Sequence, residues 1–172
     1  STDEVYGSLN QGSATENSRF NPSSPYSATK ASSELLINAY NESYDCDNLI
    51  TRCTNNYGPR QFPEKLIPKV ILLANSNQKI PVYGTGKNIR DWLFVEDHCS
   101  AILQVLLKGK SGESYNISDG NELDNLTIIN TILKLMNKSN DLIEFVEDRP
   151  GHDFRYSLDS SKIKSELNWS VK

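Results

Sequence analysis

A chain of 172 residues is long enough for one domain with a real hydrophobic core, and 37% hydrophobic content with scattered charge marks an ordinary globular protein. A net charge of −4 and a pI of about 5.2 give no basic face for gripping nucleic acid, so the charged partner that remains is an anionic small molecule held by a few placed cations. No apolar run approaches the roughly 18 residues of a membrane span and no secretion signal is visible, so a cytoplasmic protein with reduced thiols at Cys46, Cys53 and Cys99 is expected.

The chain opens on Ser1-Thr2-Asp3-Glu4-Val5-Tyr6-Gly7, which reads as a strand end running into a loop. That start, without an initiator Met, leads to the expectation of a truncated chain. Residues 8–24 are polar and without periodicity, a long loop of the kind that often serves function. Ser24 and Pro25 then signal a helix start, and the helix is predicted to reach about Tyr44, with Ala28, Ala31, Leu35, Leu36 and Ala39 as its apolar stripe. A strand is predicted over 48–53, then the Tyr57-Gly58-Pro59 turn and a helix over 66–74. Short strands over 78–83 and 88–95 flank Gly84-Thr85-Gly86. A helix over 96–107, a strand over 113–117, a helix over 126–136, a strand over 143–146 and a helix over 160–167 complete the pattern. Strands alternating with helices indicate an α/β or mixed architecture.

Four groups of residues carry possible chemistry. In Tyr26-Ser27-Ala28-Thr29-Lys30 the helix places phenol and ammonium on one face. A cation there lowers the phenol toward working pH, as a base acting on a sugar hydroxyl requires. Thr2-Asp3-Glu4 offers two carboxylates that can divide acid and base duties if their environments differ. Asn55-Asn56-Tyr57 through Lys65-Leu66-Ile67-Pro68 suits a hydrogen-bonding wall around a ligand. Arg90, with Asp148-Arg149-Pro150-Gly151-His152-Asp153, offers guanidinium forks for a diphosphate. An exposed Tyr–Lys pair, a solvated acidic turn, a turn-rich connection and surface salt bridges are the plain alternatives, and residue type alone leaves both sets open. Other motifs fail. Gly84-Thr85-Gly86-Lys87 has Pro81 and Asn88 where a P-loop needs Gly and Ser or Thr. No G-x-S-x-G elbow occurs. With His98 and His152 the only histidines, a histidine-rich metal site is excluded, and no metal is expected. No glycine-rich dinucleotide turn is present.

Together these segments resemble the extended short-chain dehydrogenase/reductase family of nucleotide-sugar enzymes, and within it the dTDP-glucose 4,6-dehydratases, over essentially the whole chain. The resemblance rests on Ser1 to Gly7, Ser24 to Lys30, Thr51 to Pro68, Pro81 to His98 and Asp148 to Tyr156. It implies the distal part of a Rossmann-type doubly wound sheet plus a smaller mixed α/β substrate domain. Residues 1–62 would belong mainly to the first and 63–172 mainly to the second, with crossing between them allowed. It implies NAD as cofactor, with Tyr26, Lys30 and Asn56 at its nicotinamide end, and Thr2, Asp3, Glu4, Tyr26 and Lys30 as catalytic residues. It implies a dTDP-glucose pocket lined by Asn55, Lys65, Leu66, Pro81, Val82, Tyr83, Arg90, Asn125 and the stretch Asp148, Arg149, Pro150, Gly151 and His152. A homodimer through the Tyr26 helix is implied too. The family's glycine-rich front half is expected to be missing, which makes activity of the chain alone doubtful. A sister epimerase or dehydratase, or a non-catalytic nucleotide-sugar-binding or subunit-association module, are the competing readings.

Overall fold

Residues 1–148 and 151–172 are described by the structure, a computed structural model. Thr2 makes a parallel bridge to Cys53, after which Asp3–Tyr6 forms a short 3₁₀ helix in place of an open loop. Helix α1 spans Pro25–Tyr44, β1 Ile50–Cys53, β2 Asn55–Tyr57, α2 Leu66–Asn75, β3 Ile80–Tyr83, β4 Ile89–Phe94 and α3 Val95–Lys108. Strand β5 spans Ser114–Ile117, β6 Glu122–Asp124, α4 Asn125–Leu135, β7 Ile143–Val146 and α5 Ser161–Leu167. The helices match their sequence signals closely, because caps and apolar spacing are local. Ser24 heads α1 in a reciprocal capping box with Ser27, and Pro25 occupies the first turn. Strands β2 and β6 were not predicted. They are three-residue pieces held by β4, which pairs parallel with β2 and antiparallel with β6.

The remaining pairs, β1 with β5 and β3 with β7, are both parallel. Parallel strands need both faces covered, and three apolar clusters supply the cover. The first gathers Leu93, Ala101, Val105, Tyr115, Ile117, Ile163, Leu167 and Trp169, from β4, α3, β5 and α5. The second gathers Val70, Ala74, Ile80, Val82, Ile129 and Leu133, from α2, β3 and α4. The third packs Val5, Tyr6, Ala14, Ala31 and Leu158 beneath the long loop. That loop is stitched to the distant end of the chain. The Leu9 amide donates to the Arg155 carbonyl (3.0 Å) and the Ala14 amide to the Ser157 carbonyl (3.0 Å), while Ser8 Oγ accepts from the amides of Phe154 and Arg155 (both 3.2 Å).

Helix α1 corrects the predicted stripe. The residues it buries are Ser27, Ala31 and Glu34, while Leu35, Leu36 and Ala39 are exposed. The buried face is polar because Glu34 meets Arg52 of β1, described below. Cys46 and Cys99 are exposed and Cys53 is half-buried, all as free thiols. Among the described residues no helix is long and apolar enough to cross a membrane.

Candidate active site

The acidic turn is built around Thr2. Its Oγ1 accepts from the Glu4 amide (3.3 Å) and donates to Asp3 Oδ1 (3.1 Å), so one hydroxyl orders both carboxylate residues. Asp3 is buried, and its Oδ2 has no hydrogen-bond partner among the described residues. Burial drives the Asp3 carboxyl up to about 7; the Thr2 hydrogen bond opposes the rise, the Glu4 charge adds to it and Arg90 opposes it. Asp3 is therefore half-protonated near neutral pH. Glu4 is half-buried and faces a large cleft. One side chain is a dry acid and its neighbour reaches solvent. That is the asymmetry an acid–base pair needs.

Tyr26 and Lys30 lie one turn apart on α1, Tyr26 exposed and Lys30 half-buried. The phenol does not shift as the sequence predicts. Partial burial and then the charges of Glu4, Cys53 and Asp3 push it upward, with no counterweight from Lys30. The same effect places Tyr26 electrostatically beside the acidic turn. Asn56, on β2, donates from Nδ2 to the Thr54 carbonyl (3.0 Å) and toward Cys53 Sγ (3.4 Å). Its Oδ1 is buried without a partner among the described residues. Strand alternation turns Asn55 the other way, onto the cleft wall.

The cleft encloses about 610 Å³. Asn55, Lys65, Leu66, Pro81, Val82, Tyr83, Arg90, Asn125, Gly151 and His152 line it, with Glu4 at one end. Lys65 and Leu66 come from the start of α2, Pro81 to Tyr83 from β3, Arg90 from β4 and Asn125 from the first residue of α4. Thr2, Asp3, Tyr26, Lys30 and Asn56 are not on this wall. Tyr26 feels the charges of Glu4, Cys53 and Asp3, Lys30 that of the Ser1 amine, and Asn56 donates toward Cys53, so these residues lie about the acidic turn and the end of β1. Asp148 is also off the wall, its Oδ1 sharing a 2.7 Å hydrogen bond with His152 Nδ1. Arg149 and Pro150 lie outside the described residues. Gly84, at φ +55°, lets the β3 turn pass close to Asp148: a Cβ there would sit 2.8 Å from Asp148 Oδ2.

The two-arginine fork needs correction. Arg90 is buried and donates from Nη1 to the carbonyls of Ile89 (2.7 Å) and Phe154 (3.2 Å), and from Nη2 to that of Asp153 (2.9 Å). Its guanidinium also stacks on the Tyr156 ring at 4.4 Å. Fewer than half of its N–H groups remain for a ligand. Sequence reasoning missed Ser24, Lys69 and Tyr156, which line the cleft together with Trp92 and Asp153. Lys69 follows Lys65 by one helical turn, a readable signal; Asp153 and Tyr156 reach the site only through the fold of their loop.

The family model described as GDP-mannose 4,6 dehydratase matches residues 1–172. The chain belongs to this family. The Low-salt glycan biosynthesis protein Agl12 of Haloferax volcanii is 53% identical over 175 residues, which cover 100% of this chain and 56% of that protein. A dTDP-glucose 4,6-dehydratase of Streptomyces niveus is 52% identical over 172 residues, covering 100% of this chain and 51% of the relative. Among solved structures, DesIV, a dTDP-glucose 4,6-dehydratase from Streptomyces venezuelae with NAD and TYD bound, superposes at a TM-score of 0.98 with 46% identity, covering 99% of this chain and 53% of that one. The chain thus spans about half the length of the curated relatives it matches. Membership of the GDP-mannose 4,6 dehydratase family accords with the α/β, Rossmann-type fold expected from the sequence, and the parallel pairs β1–β5, β2–β4 and β3–β7 are its expression here.

Proposed function

We propose that this chain carries the acid–base groups and the nucleotide-sugar cleft of an NAD-dependent dTDP-glucose 4,6-dehydratase, a lyase forming the 4-keto-6-deoxy sugar. One observation carries the reading: Asp3, buried and with its carboxyl raised by that burial, stands next to Glu4, which faces the cleft. Expelling water from adjacent carbons requires an acid for the departing hydroxyl and a base for the C–H proton. A 4-epimerase requires no such pair.

The cofactor fits at its nicotinamide end. Asn56 Oδ1, buried and without a hydrogen-bond partner among the described residues, is an acceptor suited to an amide N–H. NAD, when bound, would supply the acceptor for the C4 hydride and the donor that returns it to C6 after water is lost, so no other reductant is needed. Tyr26 would take the proton of the sugar 4-hydroxyl once the positive charges of Lys30 and of the bound nicotinamide offset the burial and the acidic turn that hold its phenol up, with Thr2 ordering the hydroxyl it meets. The 4-ketone that forms acidifies the hydrogen at C5. Glu4 removes that proton while Asp3 gives its own to the leaving 6-hydroxyl. The wall from Asn55 and Lys65 round to His152, with Arg149 and Pro150 in the same stretch, holds the nucleotide diphosphate. The same reading includes a homodimer through α1, whose Leu35 and Leu36 (both 61% exposed), Tyr40 (56%) and Tyr44 (71%) form an outward apolar face, and a cytoplasmic setting that keeps the thiols reduced.

The test is a double variant, Asp3→Asn with Glu4→Gln, of the chain complemented with the remaining half of a full-length relative, in a single turnover with NAD and dTDP-glucose. Oxidation starts, because Tyr26 and Lys30 are intact, but elimination stalls, and nicotinamide absorbance from the reduced cofactor persists. Normal water loss in that variant would discard the assignment.

A further inference from the structure

Behind the acidic turn lies a buried polar hub that the proposed chemistry does not use. Arg52 of β1 meets Glu34 of α1 with Nε to Oε2 at 2.8 Å and Nη2 to Oε2 at 2.5 Å. Glu34 is 1% exposed and Arg52 3%. Arg52 Nη1 donates to the Tyr6 hydroxyl (2.7 Å), which donates onward to Asn116 Oδ1 (3.1 Å). The guanidinium also stacks on the rings of Tyr6 at 5.3 Å and Phe20 at 5.2 Å. Asn116 in turn donates from Nδ2 to the Ala14 carbonyl (2.9 Å) and from its amide to Glu16 Oε1 (2.8 Å).

The hub touches every segment that carries the proposed chemistry. Glu34 is one turn beyond Lys30 and two beyond Tyr26 on the same helical face. Tyr6 closes the 3₁₀ helix that bears Asp3 and Glu4. Arg52 belongs to β1, whose next residues lead to Asn55 and Asn56. A buried ion pair is an expensive way to gain stability, since well-packed apolar residues of similar volume often serve as well or better. What such a pair supplies is one fixed geometry, with bidentate direction that an apolar contact lacks.

We propose that Glu34, Arg52 and Tyr6 are positioning residues that lock the Tyr26 helix, the Asp3–Glu4 turn and the β1–β2 junction into one register. The inference deepens the dehydratase reading, because it concerns the groups that reading names as acid, base and redox tyrosine. Glu34, Arg52 and Tyr6 act through them and touch no reactant.

The experiment is run on the chain without cofactor or substrate, so it stands apart from any turnover assay. Glu34→Leu with Arg52→Met replaces the pair by apolar groups, and Tyr6→Phe cuts only the hydroxyl bridge. Three quantities are read: the thermal midpoint, amide exchange over residues 2–6 and 26–30, and the Asp3 carboxyl titration followed by carbon NMR. The double variant keeps its fold, exchanges those amides about tenfold faster, and lets the Asp3 midpoint fall from about 7 toward the ordinary carboxylate range as the turn loosens into water. A folded double variant with unchanged exchange and unchanged Asp3 titration overturns the proposal. If the double variant does not fold, Tyr6→Phe decides. It leaves the Arg52–Glu34 pair in place, so a lowered Asp3 midpoint supports the hub and an unchanged one overturns it. Absence of dTDP-glucose turnover by the parent complemented with the remaining half of a relative would count against the dehydratase reading alone.

Discussion

A carboxyl held near 7 by burial makes folding sensitive to pH, and the sign follows from which state keeps the proton. Asp3 has an ordinary value of 3.8 and a folded value of about 7. Below 3.8 both states are protonated and Asp3 costs nothing. Between 3.8 and about 7 the folded chain keeps a proton the unfolded chain releases, so stability falls as pH rises. Above that window the whole penalty is felt, on the order of 4 kcal/mol. Asp91, buried on β4 with the Gly120 amide on its Oδ2 (3.0 Å), is raised to about 6 and adds a smaller slope of the same sign. Asp3→Asn should therefore be more stable than the parent at pH 8 and close to it at pH 4, with a flatter profile between. Urea unfolding at the two pH values measures this, and equal midpoints at pH 8 would show that Asp3 ionises freely. At this scale the sequence is legible only where spacing is covalent. Tyr26 and Lys30 share a face because four residues make a helical turn. The direction in which Tyr26 shifts depends on its partial burial and on Glu4, Cys53 and Asp3, which reach it through the fold and not through α1.

Among the elements, those with local signals were readable. Ser24 and Pro25 announce α1, and the apolar spacings of α2, α3 and α4 announce theirs. Strand β2 could not be read, because Asn55-Asn56-Tyr57 has no alternation and owes its extended form to Trp92, Leu93 and Phe94 across the ladder. The outward face of α1 has a definite consequence. Leu35, Leu36, Tyr40 and Tyr44 are large apolar side chains exposed on one helix, the kind of face that marks an interaction site. Under the homodimer proposal, Leu35→Glu with Leu36→Glu should abolish self-association while sparing the fold, since both side chains point away from the core. Sedimentation velocity separates the cases. A variant that still dimerises would move the interface to another face.

For the molecule as a whole, the cleft sits where α2, β3 and α4 of one core face the β2–β4–β6 sheet and the acidic turn. Its Lys65-to-Asn125 wall was legible from the family resemblance, whereas Tyr156 and Asp153 arrive only by the closing of a distant loop. The cofactor is held less completely. A dinucleotide fold grips pyrophosphate with backbone N–H groups at a glycine-rich turn opening a helix, and none occurs in these 172 residues. Asn56, Tyr26 and Lys30 offer too little contact to offset the entropy of fixing the dinucleotide. Calorimetry of the chain with NAD should thus give weak binding or none; micromolar affinity would show a cofactor site made differently.

The stitching of the long loop to the far end of the chain also bears on synthesis. Ser8 and Arg155 are 147 residues apart. A ribosome adding roughly 5–20 residues per second needs on the order of 10 s to bring the second within reach of the first. During that interval Val5, Tyr6 and Phe20 are without Leu158, and Ala14 is without the Ser157 carbonyl. The nascent polypeptide therefore emerges with its acidic turn unsupported and its apolar residues open to chaperones until the distant segment arrives.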